Sequence, residues 1–229
     1  MVSRVFAKAP IGAKYMFFTA YQSDFSKIAV YEGFTHDYPI SENLWTNGKT
    51  LMTLGDSLTE ASIWQTIVMG RLGFSELINL AHGGTMVNVF ADEVTADNIA
   101  AVDVVTIMGF YNSKFSKPGT VADEASNKPE ASICAGYKYI IDKIYKLKPT
   151  VKIILITPHR NRAEDGEDKT EAIKSIADYY SIPCIDLYNN AGFNGYTYDS
   201  YLVDIVHSSS LGYMREAEVI IGGLLNFIP

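Results

Sequence analysis

The sequence predicts a three-layer α/β/α fold on a central parallel sheet, with a short β segment in front of it. Two patterns carry that expectation. From residue 49 onward, short apolar runs alternate with stretches of helical period. Such alternation is the signature of βαβ units, whose crossovers make the strands parallel. Several runs are also apolar throughout rather than at every second position, as strands covered on both faces must be. The 229 residues suit one main domain, since single domains commonly reach roughly 250 residues.

Residues 1–48 follow a different pattern. Residues 14–21 and 27–31 are rich in aromatic and β-branched side chains, with Gln22, Ser23 and Asp24 between them. This predicts a β-hairpin. The later apolar runs, at 50–54, 77–80, 102–108, 151–156 and 183–187, are the predicted core strands. Three helices stand out between and after them. Residues 130–148 place Ile133, Tyr137, Ile140, Ile141, Ile144 and Leu147 on one face, and Pro149 stops the helix. Residues 170–180 repeat the pattern with Ile173, Ile176, Ala177 and Tyr180, and residues 211–225 with Leu211, Met214, Ala217, Ile221 and Leu225. The segment 163–169 reads as a solvated charged loop.

Composition narrows the function. The balance is ordinary for a globular protein, 48% apolar and 20% charged, with a net charge of −7. A nucleic-acid binder normally shows a basic face, so no nucleic-acid partner is expected. The two cysteines, Cys134 and Cys184, cannot build a disulfide scaffold or a four-ligand zinc site. Both are expected to be buried free thiols. No run approaches the roughly 18 apolar residues of a membrane span, and the N-terminus lacks the apolar core of a signal peptide. A soluble protein is expected, extracellular or phage-borne if part of a larger multidomain chain and cytoplasmic otherwise.

In parallel sheets ligands sit at the carboxyl ends of the strands, so the residues after each run matter most. Gly55-Asp56-Ser57-Leu58-Thr59-Glu60 follows the first. Gly55 permits a sharp turn, which places Ser57 at a helix start, where free N–H groups and the positive dipole end point outward. A serine there can attack a carbonyl while its own N–H holds the oxyanion. Ser57-x-x-Glu60 is equally a capping box. After the second run, Gly83 and Gly84 follow His82 and let backbone approach a ligand closely. His82 is expected to pack or bond locally. After the third stand Phe110, Tyr111 and Asn112, where an asparagine amide can donate to developing negative charge or merely form a turn. After the fourth come His159, Arg160, Asn161 and Arg162, polar groups that would rim the same edge.

Asp204 precedes His207 by three residues. A carboxylate so placed can fix the imidazole tautomer and leave the other ring nitrogen to take a proton from a serine. Histidine is suited to this because its unperturbed pKa lies near neutrality. A surface ion pair or half a metal site are the plainer readings. No third ligand at a recognisable spacing is present, so no metal is expected.

Together these pieces resemble the SGNH hydrolases, the GDSL-type lipase/acylhydrolase family, over about residues 48–226. Gly55-Asp56-Ser57-Leu58 matches the first block of that family. Asn79-Leu80-Ala81-His82-Gly83-Gly84 resembles the second, and Asp204-x-x-His207 matches the last. Lys117-Pro118-Gly119-Thr120 and the segment from Ala135 to Ile141 look like a bacterial and phage-associated branch. One block departs: the family pattern is Gly-x-Asn-Asp, whereas Tyr111 holds the asparagine position here and Asn112 follows it.

The resemblance implies the flavodoxin-like SGNH hydrolase fold over 49–229. It also implies a Ser57–His207–Asp204 triad acting through an acyl-enzyme, and an oxyanion hole from the N–H groups of Ser57 and Gly84 with the Asn112 amide. No cofactor is implied. Tyr196, Tyr198 and Tyr201 precede Asp204, and aromatic faces suit sugar rings. The expected substrate is therefore a short-chain or O-acetyl ester on a carbohydrate, with Asp56, Phe110, Tyr111, His159, Arg160, Tyr198 and Tyr201 as candidate binding residues. A lysophospholipase, a thioesterase or a non-catalytic glycan-binding module are the alternatives. Residues 1–48 loosely resemble the closing strands of a β-sandwich module, or form a β extension.

Overall fold

The computed structural model describes residues 44–113, 117–122, 129–163 and 166–227, together with three N-terminal strands at 3–7, 16–20 and 28–32. The chain divides into two compact units, Met1–Leu44 and Trp45–Pro229. In the first, β1 (Ser3–Ala7), β2 (Met16–Ala20) and β3 (Ile28–Glu32) form an antiparallel sheet in that order. β2 and β3 pair with Ala20 opposite Ile28, in the region read as a hairpin. β1 is an additional strand that the sequence reading did not mark. The polar tripeptide between β2 and β3 lies outside the described residues.

The second unit carries the parallel sheet. β4 (Thr50–Gly55), β5 (Glu76–Asn79), β6 (Val104–Met108), β7 (Lys152–Thr157) and β8 (Cys184–Asp186) are arranged β5-β4-β6-β7-β8, each neighbour parallel. Every residue of β4 and β6 is buried, which explains why their sequences do not alternate apolar with exposed polar residues. Buried threonines interrupt both strands at matched positions, Thr53 opposite Thr106.

Helices flank this sheet. They are α1 (Ser57–Glu60), α2 (Ile63–Leu72), α3 (Ala96–Ile99), α4 (Ile133–Leu147), α5 (Glu167–Tyr180), α6 (Leu187–Asn190), α7 (Tyr198–Tyr201) and α8 (Ser210–Asn226). They pack in two groups, α2 against α8 and α4 against α5. α4 buries Ile133, Tyr137, Ile140, Ile141 and Ile144, and each such side chain contributes about 1.5–3 kcal/mol by leaving water. It starts when the Ser132 hydroxyl accepts the Ala135 N–H, and Pro149 forbids its continuation. α2 is missing from the sequence reading. Ile63, Ile67 and Met69 lie off its buried face of Trp64, Gln65, Val68 and Leu72, so apolar residues surround the helix and blur its period.

The chain leaves β4 for one edge strand, β5, and returns to β6 on the other side of β4. This makes the carboxyl ends of β4 and β6 a topological switch point, where the crossovers diverge and leave a crevice. Cys134 is buried, whereas Cys184, expected to be buried, is only partly so; both are free thiols.

Candidate active site

Gly55 ends β4 where no side chain fits. A Cβ there would stand 2.5 Å from Thr59 Oγ1 and 2.8 Å from the Met108 carbonyl oxygen. Asp56 follows in extended conformation and caps α1: its Oδ1 accepts the Leu58 N–H at 3.1 Å, and its carbonyl accepts those of Thr59 and Glu60 at 3.0 Å. The capping-box reading of Ser57-x-x-Glu60 is therefore corrected. Asp56 takes the capping duty, and Ser57 becomes the first helical residue with its hydroxyl released from it.

That hydroxyl meets His207, 150 residues away in sequence, with Oγ 2.9 Å from the ring Nε2. The other ring nitrogen, Nδ1, is 2.7 Å from Asp204 Oδ2. Asp204 Oδ1 accepts the backbone N–H groups of Val206 and His207, each at 2.7 Å. The His207 N–H, its ring and the Val206 N–H hold the Asp204 carboxyl down at about 2. The loop is closed by a Leu202–Ser208 bridge and by the Val203 N–H donating to the His207 carbonyl at 2.9 Å.

Two further loops reach the same place. Gly84 adopts φ +77°, a left-handed conformation, although a Cβ there would meet nothing within 4 Å. Its conformation rather than its space demands glycine. After β6, Tyr111–Ser113 makes one 3₁₀ turn. It puts Asn112 on the wall and turns Tyr111 inward, where the phenol donates to the His159 carbonyl. Among the described residues, the N–H groups of Ser57 and Gly84 and the Asn112 amide have no hydrogen-bond partner in the protein. Ser57, Gly84, Asn112 and His207 line one cavity of about 750 Å³, with Asp56, Leu58, Tyr111, Ala163, Ile205 and Val206.

Asp56 is 1% exposed. Burial pushes its carboxyl up to about 6, against the lowering effect of the Leu58 N–H, and its Oδ2 has no hydrogen-bond partner. Asn79 braces the turn that carries Ser57. Its amide donates to the carbonyls of Thr59 and Glu60 and to Ser62 Oγ, while its Oδ1 accepts from Thr53 and from the Ala81 N–H.

Five candidate binding residues lie outside this cavity. Phe110 is 1% exposed, packed against Gly166 with the Lys169 ammonium above its ring. His159 is fully buried under the loop that carries Asp204 and His207. Arg160 turns away to the Tyr188 carbonyl and Asn189 Oδ1, over the Tyr188 ring. Tyr198 lies under the Arg162 guanidinium on α7, and Tyr201 packs on Phe193 at 5.0 Å. None of the five lines the cavity. His82 is exposed, 3.8 Å from the Glu93 carboxylate. Among the described residues, no group of three His, Cys, Asp or Glu side chains is placed to hold a metal ion, and no helix is long and apolar enough to cross a membrane.

A hydroxyl, an imidazole and a carboxylate in series allow the ring to take the hydroxyl proton while the carboxylate stabilises the imidazolium. Three unpaired donors around the hydroxyl suit a developing oxyanion.

No protein-family model matches the chain, and no curated protein matches it. Solved structures do. An acetyl-xylooligosaccharide esterase from Geobacillus stearothermophilus is 21% identical with a TM-score of 0.59, covering 78% of this chain and 94% of its own. The lipase/acylhydrolase from Enterococcus faecalis is 18% identical with a TM-score of 0.57, covering 79% and 97%. A proposed GDSL-like lipase from Bacteroides ovatus is 16% identical with a TM-score of 0.58, covering 78% and 98%. At these identities the likeness is one of fold.

Proposed function

The chain has the SGNH hydrolase fold, and from that premise we propose that residues 49–229 form a serine esterase, with residues 1–48 as an appended β segment. The observation that carries the reading is the unbroken series Ser57 Oγ, His207 Nε2, His207 Nδ1 and Asp204 Oδ2, at 2.9 and 2.7 Å.

The chemistry follows from those contacts. His207 Nε2 accepts the Ser57 proton as Oγ bonds to the ester carbonyl carbon, and the carbonyl π electrons move onto oxygen. The N–H groups of Ser57 and Gly84 and the Asn112 amide hold that oxyanion. Collapse of the intermediate breaks the bond to the alcohol oxygen, which leaves with the proton carried by His207. Water then enters by the same route: His207 takes its proton, hydroxide attacks the acyl carbon, and Ser57 leaves with that proton as the acid is released. Asp204 holds the ring in the Nδ1–H tautomer and stabilises the imidazolium.

The substrate we propose is a short acyl ester, an O-acetyl group on a carbohydrate. The solved structure named as an acetyl-xylooligosaccharide esterase supports this choice. The apolar part of the cavity wall, Leu58, Ala163, Ile205 and Val206, can seat a short acyl group. Hydrolysis of p-nitrophenyl acetate tests the reaction. It is expected in the wild type and lost in Ser57→Ala with the circular-dichroism spectrum unchanged. Equal rates in both would overturn the reading and favour a binding module. Acetylated xylo-oligosaccharides set against p-nitrophenyl esters of increasing chain length test the substrate class.

A further inference from the structure

Beneath the acid–base loop lies a polar cluster that the proposed chemistry does not use. His159 follows β7 and Glu216 stands on α8, and both side chains are fully buried. His159 Nε2 is 2.9 Å from the carbonyl oxygen of Val206. A carbonyl only accepts, so that nitrogen carries a proton. The second ring nitrogen, Nδ1, lies at ion-pair distance from Glu216 Oε1, 2.9 Å, without a hydrogen bond between them. The same Oε1 accepts from the Ser208 hydroxyl. The imidazole is itself fixed, stacked on Phe193 at 4.2 Å, with its backbone carbonyl taken by the Tyr111 phenol.

Val206 and Ser208 are the two chain neighbours of His207. The cluster thus holds both chain neighbours of the candidate base, Val206 by its backbone carbonyl and Ser208 by its side-chain hydroxyl, from two different elements of the core. The grip matters because the loop lies at the surface: the His207 and Asp204 side chains are 41% and 50% exposed, so little packing around them can fix the ring. An imidazole and a carboxylate taken wholly out of water are costly unless paired. A purely apolar contact would fill the same space without that cost.

We propose that the buried His159–Glu216 pair is the positioning element for His207: by holding Val206 and Ser208 it sets the distance from His207 Nε2 to Ser57 Oγ. The role rests on the esterase reading for its kinetic consequence and on geometry alone for its structural one. It is a role in hydrogen-bond geometry, so a neutral amide of the same shape at position 216 performs it. The amide can donate to His159 Nδ1 and remain bonded to Ser208.

The test uses the full chain and two readouts. One is p-nitrophenyl acetate kinetics. The other is the far-downfield proton NMR signal of the His207 Nδ1–H facing Asp204, assigned by its loss in Asp204→Asn. His159→Phe/Glu216→Leu removes both polar partners without stranding a buried charge. Provided thermal unfolding shows it folded, its kcat is expected to fall about 10–100-fold at little-changed KM, as a displaced catalytic group costs, and the NMR signal to shift or broaden. Glu216→Gln is expected to restore both to near wild type. A folded double variant with wild-type kcat and an unmoved signal would overturn the proposal. A loss in Glu216→Gln as large as in the double variant would overturn it too, in favour of a charge effect. Should the double variant not fold, Ser208→Ala cuts one of the two grips alone; an unmoved signal and unchanged kcat there count against the proposal. If the wild type turns over no ester, the esterase reading falls, and the NMR signal alone decides the positioning role.

Discussion

Asp204 holds His207 at two points. Its Oδ2 faces the ring Nδ1 at 2.7 Å, and its Oδ1 accepts the backbone N–H of the same residue at 2.7 Å. Asp204→Asn separates these two functions. The amide oxygen can still accept the backbone N–H groups, but the amide nitrogen then faces Nδ1 and drives the ring into the wrong tautomer. The fold is expected to survive while kcat falls about 10³–10⁴-fold. Steady-state kinetics with thermal unfolding as control checks it, and a loss under tenfold would remove the tautomer role.

The Asp204 carboxyl has the pH sign of a stabilised carboxylate. Asp204 is held down from 3.8 to about 2, so its contribution to stability is present above about pH 4 and lost only as pH falls through about 2. It stays ionised wherever the protein is assayed. Protonation of Asp204 is therefore expected to leave kcat/KM unchanged above about pH 4.

Asp56 titrates with the opposite sign. Burial raises its carboxyl from 3.8 to about 6, so the folded state binds the proton more tightly than the unfolded one. The associated stability is present below 3.8 and lost as pH rises through about 6, a change of about 3 kcal/mol. Asparagine keeps the cap to the Leu58 N–H without the charge. Asp56→Asn is therefore expected to gain about 2 kcal/mol on the wild type between about pH 4 and pH 8. Urea unfolding of both proteins at the two pH values measures the difference, and parallel curves would refute it.

Asn112→Ala tests the oxyanion hole where the sequence departs from the family pattern. Removing one such donor costs about 10²–10³ in kcat with little change in KM. Wild-type kcat in the variant would show that two backbone N–H groups suffice.

Gly55→Ala should fail for a different reason. Its Cβ would lie 2.8 Å from the Met108 carbonyl oxygen, which belongs to the neighbouring strand and cannot rotate away. A destabilisation of about 1–3 kcal/mol from overpacking is expected, together with a fall in kcat as the turn carrying Ser57 shifts. Unaltered melting and turnover would argue against the crowding.

The sheet and its three long helices were legible because burial imposes a period on apolar residues. α2 escaped because Ile63, Ile67 and Met69 fill the face that polarity would have marked. Ser57, Gly84, Asp204 and His207 could be marked as candidates because each stands where a strand or loop ends. What order along the chain does not encode is the direction in which a side chain leaves the loop. Tyr111 and Asn112 are adjacent, yet the phenol turns inward to a carbonyl while Asn112 faces the cavity. His159 and Arg160 likewise follow a strand end but point into the core and toward α6. The cap on α1 fell to Asp56 rather than Ser57 because capping follows backbone angles, which neighbouring residues set jointly.

Acid and base share one short loop closed on itself between Leu202 and Ser208. Half of the proton relay is therefore assembled locally, and a single long-range spacing, from that loop to the end of β4, has to come out right on folding. In the proposed esterase, loosening of this one joint would part Ser57 from His207 while leaving the Asp204–His207 contact whole.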